Sequence, residues 1–196
     1  MAQQVIDLNC AGCGGPVSTG QKECNYCHRP VVISTFNTVY SMEIPLLNKY
    51  LQRDRQALNG NPDNQDLNTS IAMCYLKLKL YDKALPAFEK AMEDNFDNSE
   101  SFFYAAVCLL KGKKAFVASR ADIDKAQEYI NAALMIEPRG IYHYFWAYIK
   151  HDYFERKYLN TTPNWQSALQ TATETGVSQA DIEQLFAVLG VAKPMW

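Results

Sequence analysis

Four of the six cysteines fall in one short stretch, as Cys10-x2-Cys13 and Cys24-x2-Cys27, and no other feature restricts what this chain can fold into so tightly. The second pair lies in "CNYCHRP", which admits three chemistries. As C-x-x-C-H it matches a c-type haem attachment motif, as C-x-x-C a redox dithiol, and as half of a four-cysteine set one knuckle of a structural metal site. Haem attachment requires export, and the start "MAQQVIDLNC" has no basic region followed by an apolar run and a small-residue cleavage site. A thioredoxin-type dithiol expects a helix directly after the pair, whereas "RPVVIS" follows, with Pro30 opposing it. Two C-x-x-C pairs joined by a short loop can instead fold back and present four thiolates as a tetrahedron. Gly14, directly after the second cysteine, suits a knuckle that needs positive φ.

The stretch "LNCAGCGGPVSTGQKECNYCHRPVVIS" resembles the zinc-ribbon family over about thirty residues. The resemblance implies one structural Zn²⁺ held by Cys10, Cys13, Cys24 and Cys27, with His28 where many ribbons have Gly, its ring facing solvent or donating to a thiolate. It also implies a ribbon strand after the last ligand, so residues 31–40, "VVISTFNTVY", are expected to be a short strand followed by a linker. A module this small buries too little apolar surface to fold unaided, so the metal would supply its folding free energy.

Beyond residue 40 the composition changes to long stretches of helical period rich in Ala, Leu, Lys and Tyr. Turn signals interrupt them at "NGNPDN", "DNFDN", "EPRG", "NTTPN" and "TGVS", which predicts about seven helices. Thr161 or Thr162 before Pro163, and Ser178 before "QADIEQLF", are the expected N-caps. The period is not only helical. Pro62 and Phe96 end equivalent turns 34 residues apart, and between them Ala72, Tyr75, Ala84, Phe88 and Ala91 keep a small–aromatic–small order. In the next copy Ala126, Ile130 and Ala133 reproduce the offsets of Ala84, Phe88 and Ala91, although Ala84 and Ala126 are 42 apart. The difference places about eight extra residues in "KGKKAFVASRAD".

This pattern resembles the tetratricopeptide repeat, firmly over 63–138 and more loosely over 45–158. The expected fold is therefore mostly α: an antiparallel helix-pair superhelical array over 42–196, with a small N-terminal β zinc ribbon over 1–38. Helices at 163–174 and 179–189 would cap one end of the array, and the ribbon with a helix at 43–58 would cover the other. In that family the first helices of the pairs line a concave groove. The resemblance implies partner-binding positions at Met73 and Lys77, at Phe103, Val107 and Lys111, and at His143 and Lys150. The apolar members also fit core positions. Lys77 and Lys111 recur at equivalent places and suggest a basic edge for an acidic peptide.

The aromatic run "YHYFWAYIKHDYFERKY" is read as helix packing. His143 and His151 are about 12 Å apart along a helix, too far to share a metal. Cys74 and Cys108, inside apolar helices, are expected to be inert and buried. The sequence contains no G-x-S-x-G, P-loop or H-E-x-x-H pattern, so no enzymatic activity is expected. A net charge of -2 gives no global drive to nucleic acid or anionic membrane, and no apolar stretch is long enough to span a bilayer. The expectation is a cytoplasmic adaptor that binds a protein or peptide partner, its oligomeric state left open. Two alternatives stay open: nucleic-acid binding through the ribbon and the basic insertion 111–120, or a redox- or metal-responsive switch at the cysteines.

Overall fold

The computed structural model describes residues 5–93 and 95–196, and the chain divides into two compact units, one closing at Asn95 and the next opening at Phe96. In the first unit, strands β1 (Asp7–Asn9) and β2 (Pro16–Ser18) pair antiparallel with Leu8 opposite Val17. The strand expected over residues 31–40 does not form. Val31 and Ile33 are fully buried in irregular backbone, and Phe36–Tyr40 is a short helix, α1, that buries Phe36 and Val39. The β-branched residues of this run fill a core without joining a ladder. The bridge nearest to it pairs Glu23 with Pro30 and is closed by the Val31 N–H donating to the Lys22 carbonyl at 3.0 Å, but the Val31 carbonyl is taken by Arg53 instead of a neighbouring strand.

Three longer helices complete this unit: α2 (Ile44–Leu58), α3 (Gln65–Lys77) and α4 (Tyr81–Met92). Proline in the first turn of α2 is tolerated because that N–H would have no intrahelical partner. Asn64 caps α3 by accepting from the Leu67 N–H at 3.0 Å. α3 packs against α1, α2 and α4, so it is buried on nearly every side, from Leu67 through Cys74. Ala84, Phe88 and Ala91 of α4 are buried, the two alanines letting the helices approach closely.

In the second unit α5 (Ser99–Leu109) packs along α6 (Arg120–Ile136), and α7 (Gly140–Ile149) packs along α8 (Trp165–Glu174). α9 (Gln179–Leu189) lies against both α5 and α7. Ala126, Ile130 and Ala133 are fully buried, as their counterparts in α4 suggest, and α8 buries Ala168 and Ala172. The aromatic run is core: Phe103 sits 4.5 Å from Tyr142 and 5.6 Å from Phe145, ring centre to ring centre. Residue 140, the first of α7, has no room for a side chain, because a Cβ there would lie 2.6 Å from the Val177 nitrogen and 2.8 Å from the Ala172 oxygen. The N-cap of α8 is Asn164, which accepts from the Ser167 N–H at 2.9 Å, rather than Thr161 or Thr162. Ser178 caps α9 as expected, through a reciprocal pair with Asp181.

Among the described residues there are nine α-helices rather than seven; α1, five residues long, is too short to show a period. α7 also does not run as one helix to residue 158. It widens into a π-type turn over Lys150–Phe154 and closes with a 3₁₀ turn over Glu155–Lys157. No helix among the described residues is long and apolar enough to cross a membrane.

Candidate metal centre

The two C-x-x-C pairs fold into knuckles with the same backbone hydrogen bonds. In the first, the Cys10 N–H donates to the Gly15 carbonyl at 2.8 Å and the Gly14 N–H donates to the Cys10 carbonyl at 2.9 Å. In the second, Cys24 donates to Arg29 at 2.8 Å and His28 donates to Cys24 at 2.9 Å. The residue after each second cysteine is left-handed, with φ of 79° at Gly14 and 55° at His28. His28 therefore stands in the glycine position of its knuckle, its side chain exposed.

This geometry brings the four sulfurs within 4.8 Å of one another, close enough to hold a metal ion. Cys10 Sγ lies 3.5 Å from Cys27 Sγ, and Cys13 Sγ lies 3.7 Å from Cys24 Sγ. The backbone favours anionic sulfur. Burial alone would raise the Cys10 thiol, but the N–H groups of Cys13 and Gly12 and the nearby sulfurs outweigh it and bring it down to about 6. The Cys24 thiol is lowered chiefly by the Tyr26 and Cys27 amides. At Cys13 the Gly15 amide lowers the thiol, but burial and the three neighbouring sulfurs push it up to about 11. Four thiols this close cannot all ionise beside one another, and a cation among them removes that conflict. Gly12 is open for a related reason: a Cβ there would meet the Arg29 side chain at 2.7 Å and the Cys27 sulfur at 3.3 Å.

How the cluster is seated on the helices was not legible in the sequence. Tyr50 of α2 donates its hydroxyl to the Pro30 carbonyl at 2.5 Å, and burial pushes that hydroxyl up to about 12, so it stays a donor. Arg53, one turn on, donates to the Val31 carbonyl at 2.6 Å and to the Asn9 carbonyl at 3.5 Å. It also binds Asp54 through Nε at 2.7 Å. Asp54 is fully buried and accepts from the Ser70 hydroxyl of α3. Burial raises its carboxyl above the usual range despite the pull of Arg53 and Ser70. Polar contacts of this kind have no period, and they would be visible only as a charged pair interrupting an otherwise amphipathic helix.

The residues expected to face a partner fall into two sets. Met73, Phe103 and Val107 are at most 2% exposed and offer no side-chain surface to a ligand. Lys150 is equally buried; its Nζ donates to Thr161 Oγ1 at 2.8 Å and sits 4.4 Å over the Trp146 ring, and burial lowers its pKa. Lys77 donates to the Tyr40 carbonyl and lies 4.9 Å over that ring. His143 is half-buried, with burial lowering its pKa, and its Nδ1 has no hydrogen-bond partner among the described residues. Lys111 is exposed, at a left-handed φ of 50° just past the end of α5. Cys74 and Cys108 are buried, with burial pushing the Cys74 thiol up.

No protein-family model and no curated protein matches the sequence. A solved structure titled "MamA MSR-1 C2", a tetratricopeptide-like protein, is similar in fold, with a TM-score of 0.51 and 17% identity over 71% of this chain and 86% of that one. The likeness is one of fold. It fits the helix-pair architecture described above.

Proposed function

We propose that the protein is a non-enzymatic scaffold that binds another protein through its tetratricopeptide-like helix pairs, with a zinc ribbon as its first module. The repetition of the pairs carries the scaffold reading. α3 with α4, α5 with α6 and α7 with α8 repeat one packing solution, and the solved structure with the same fold is tetratricopeptide-like. Such pairs expose long, rigid surfaces while their small residues are spent on the packing between helices. The open groove positions are polar. Of the positions expected at a groove, Lys77, Lys111 and His143 retain access to solvent, whereas the apolar positions are occupied in packing.

Zinc is favoured by size and donor type. Metal–sulfur arms of about 2.3 Å in a tetrahedron give edges of about 3.8 Å. The Cys10–Cys27 and Cys13–Cys24 separations of 3.5 Å and 3.7 Å are close to that value. Four thiolates with no open position describe a structural site, and its role is to hold the module that rests on Tyr50 and Arg53.

Two measurements test these statements. Affinity purification of the tagged full chain at native expression, with cross-linking and mass spectrometry, should recover a protein cross-linked to the helical part. Recovery of the chain alone, under conditions that preserve weak complexes, would overturn the scaffold reading. Metal analysis of the purified, reduced chain should give equimolar zinc. A folded, reduced chain without bound metal would overturn the ribbon.

A further inference from the structure

The insertion that breaks the repeat forms an ordered surface with the end of α7. Ala115 is fully buried, and its N–H lies 3.4 Å from the Tyr148 hydroxyl. The Phe116 N–H donates to Asp152 Oδ2 at 2.9 Å, and Asp152 Oδ1 takes Arg156 at 2.5 Å. Asp152 lies in the π-type turn Lys150–Phe154, a rare local geometry that occurs preferentially at functional sites. The insertion is thereby fixed to the second unit through a buried carboxylate.

What this arrangement presents is positive charge. Residues 110–121 carry Lys111, Lys113, Lys114 and Arg120 and no acidic residue, in a chain whose net charge is -2. Arg156 lies 4.4 Å over the Phe116 ring, and Lys157 lies 3.7 Å from the Tyr153 ring centre and 5.2 Å from that of Phe116. Lys113, Lys114 and Lys157 have no carboxylate partner among the described residues, whereas Arg120 is held by Asp124 and Arg156 by Asp152. In the same loop Val117 is 62% exposed. Cations already placed over rings lose less freedom on meeting a ligand than free lysines do.

The class of ligand follows from what is open and what is covered. Single-stranded nucleic acid needs aromatic faces on which bases can stack. Here Tyr153 and Phe154 are buried, and the chain's own cations lie over Phe116, Tyr153 and Phe154. A membrane surface needs a broad apolar face, and Val117 is the single large aliphatic side chain that the insertion exposes. An exposed aliphatic group three and four residues along the chain from two unpaired lysines complements a chain segment that is acidic and carries an apolar side chain. We propose that residues 113–117 together with Arg156 and Lys157 dock an acidic segment of a partner protein, with an apolar residue of that segment meeting Val117. The proposal rests on the scaffold reading only in taking the partner to be a protein.

The test is a titration of the full chain with a labelled peptide of alternating Glu and Leu. A Glu–Ser peptide, oligothymidylate of matched charge and phosphatidylserine vesicles serve as the other arms. The Glu–Leu peptide should bind best, with an affinity that falls as salt rises. Lys113→Glu with Lys114→Glu should weaken it about tenfold or more, and Val117→Asp should weaken it several-fold. These side chains are exposed, so the unfolding midpoint should stay at the wild-type value. Equal affinity of the double variant and wild type, or tighter binding of oligothymidylate or vesicles, would overturn the proposal, as would no binding of the Glu–Leu peptide. If the double variant still recovers the wild-type protein partners, this surface fails and the scaffold reading stands. If the peptide binds as expected but no protein is recovered with the wild-type chain, the scaffold reading fails and the surface stands.

Discussion

The cysteine module has a core of Cys10, Val17, Cys24 and Val31, and two of those four are sulfur donors of the proposed metal site. The helix pairs bury whole faces of Ala, Phe, Tyr and Ile, and α3 and α5 are buried almost throughout. One region would thus hold its shape through a few strong bonds to an ion, the other through many weak contacts between close-packed side chains. The difference is one of concentration. A single lost donor should unfold the module, whereas a single lost methyl group should only loosen the helices.

The largest test of that contrast is Cys24→Ser, or stripping of the metal by a chelator. Chelation removes binding free energy on the order of 10 kcal/mol, which at this module is folding free energy, and Cys24→Ser removes one of the four sulfur bonds that supply it. The expected outcome is loss of amide protection over residues 5–33 while the helical circular dichroism stays near its starting value. Collapse of both signals together would show that the helices depend on the ion as much as the module does.

Arg53→Met should give the next largest effect, because it strikes the contact that joins the two kinds of structure. It leaves the Asp54 carboxylate buried without its cation, a loss of about 3–5 kcal/mol in comparable buried pairs. The pH dependence has a definite sign. The Asp54 carboxyl already sits above its usual range, and loss of Arg53 moves it higher. Protonation in the folded state then relieves the unpaired charge, so the deficit should shrink as pH falls towards the acid range and grow as pH rises. Urea unfolding of variant and wild type at several pH values measures this, and a pH-independent deficit would count against the buried charge as its origin.

Gly140→Ala attacks the helical region alone. The new methyl group would press on the backbone of Ala172, Gly176 and Val177, which cannot swing aside as a side chain can. A destabilisation of about 1–3 kcal/mol is expected from overpacking, with metal content unchanged. Thermal unfolding beside metal analysis checks both halves of that statement.

These variants also mark where the sequence was legible. Ala84, Ala126 and Ala133 announced close helix packing because small residues at helical spacing have one common use. The cysteine spacing announced the cluster for a similar reason. Helix α1 was hidden because Val39 and its β-branched neighbours suit a strand and a buried turn equally well. Met73, Phe103 and Val107 were ambiguous in another way: each fits a groove floor or a core, and each is buried. The sequence of a helix buried on nearly every side does not say which of its faces, if either, stays open to a partner. Tyr50 and Arg53 escaped notice because they bind backbone carbonyls, which every residue has.

The smallest expected effect compares the two knuckles with each other. They share their hydrogen bonds but differ at one residue, Gly14 in the first and His28 in the second, both left-handed. For a residue with a Cβ that conformation costs about 1–2 kcal/mol, while Gly there sacrifices about 0.5–1 kcal/mol of unfolded-state freedom. The balance predicts that His28→Gly tightens the proposed metal site by about 1 kcal/mol or less, up to roughly fivefold in affinity. Gly14→Ala should loosen it by a similar amount. Competition with a chromogenic chelator resolves changes of that size. If His28→Gly weakens binding instead, the imidazole itself supports the sulfur cluster, and the resemblance between the knuckles would end at the backbone.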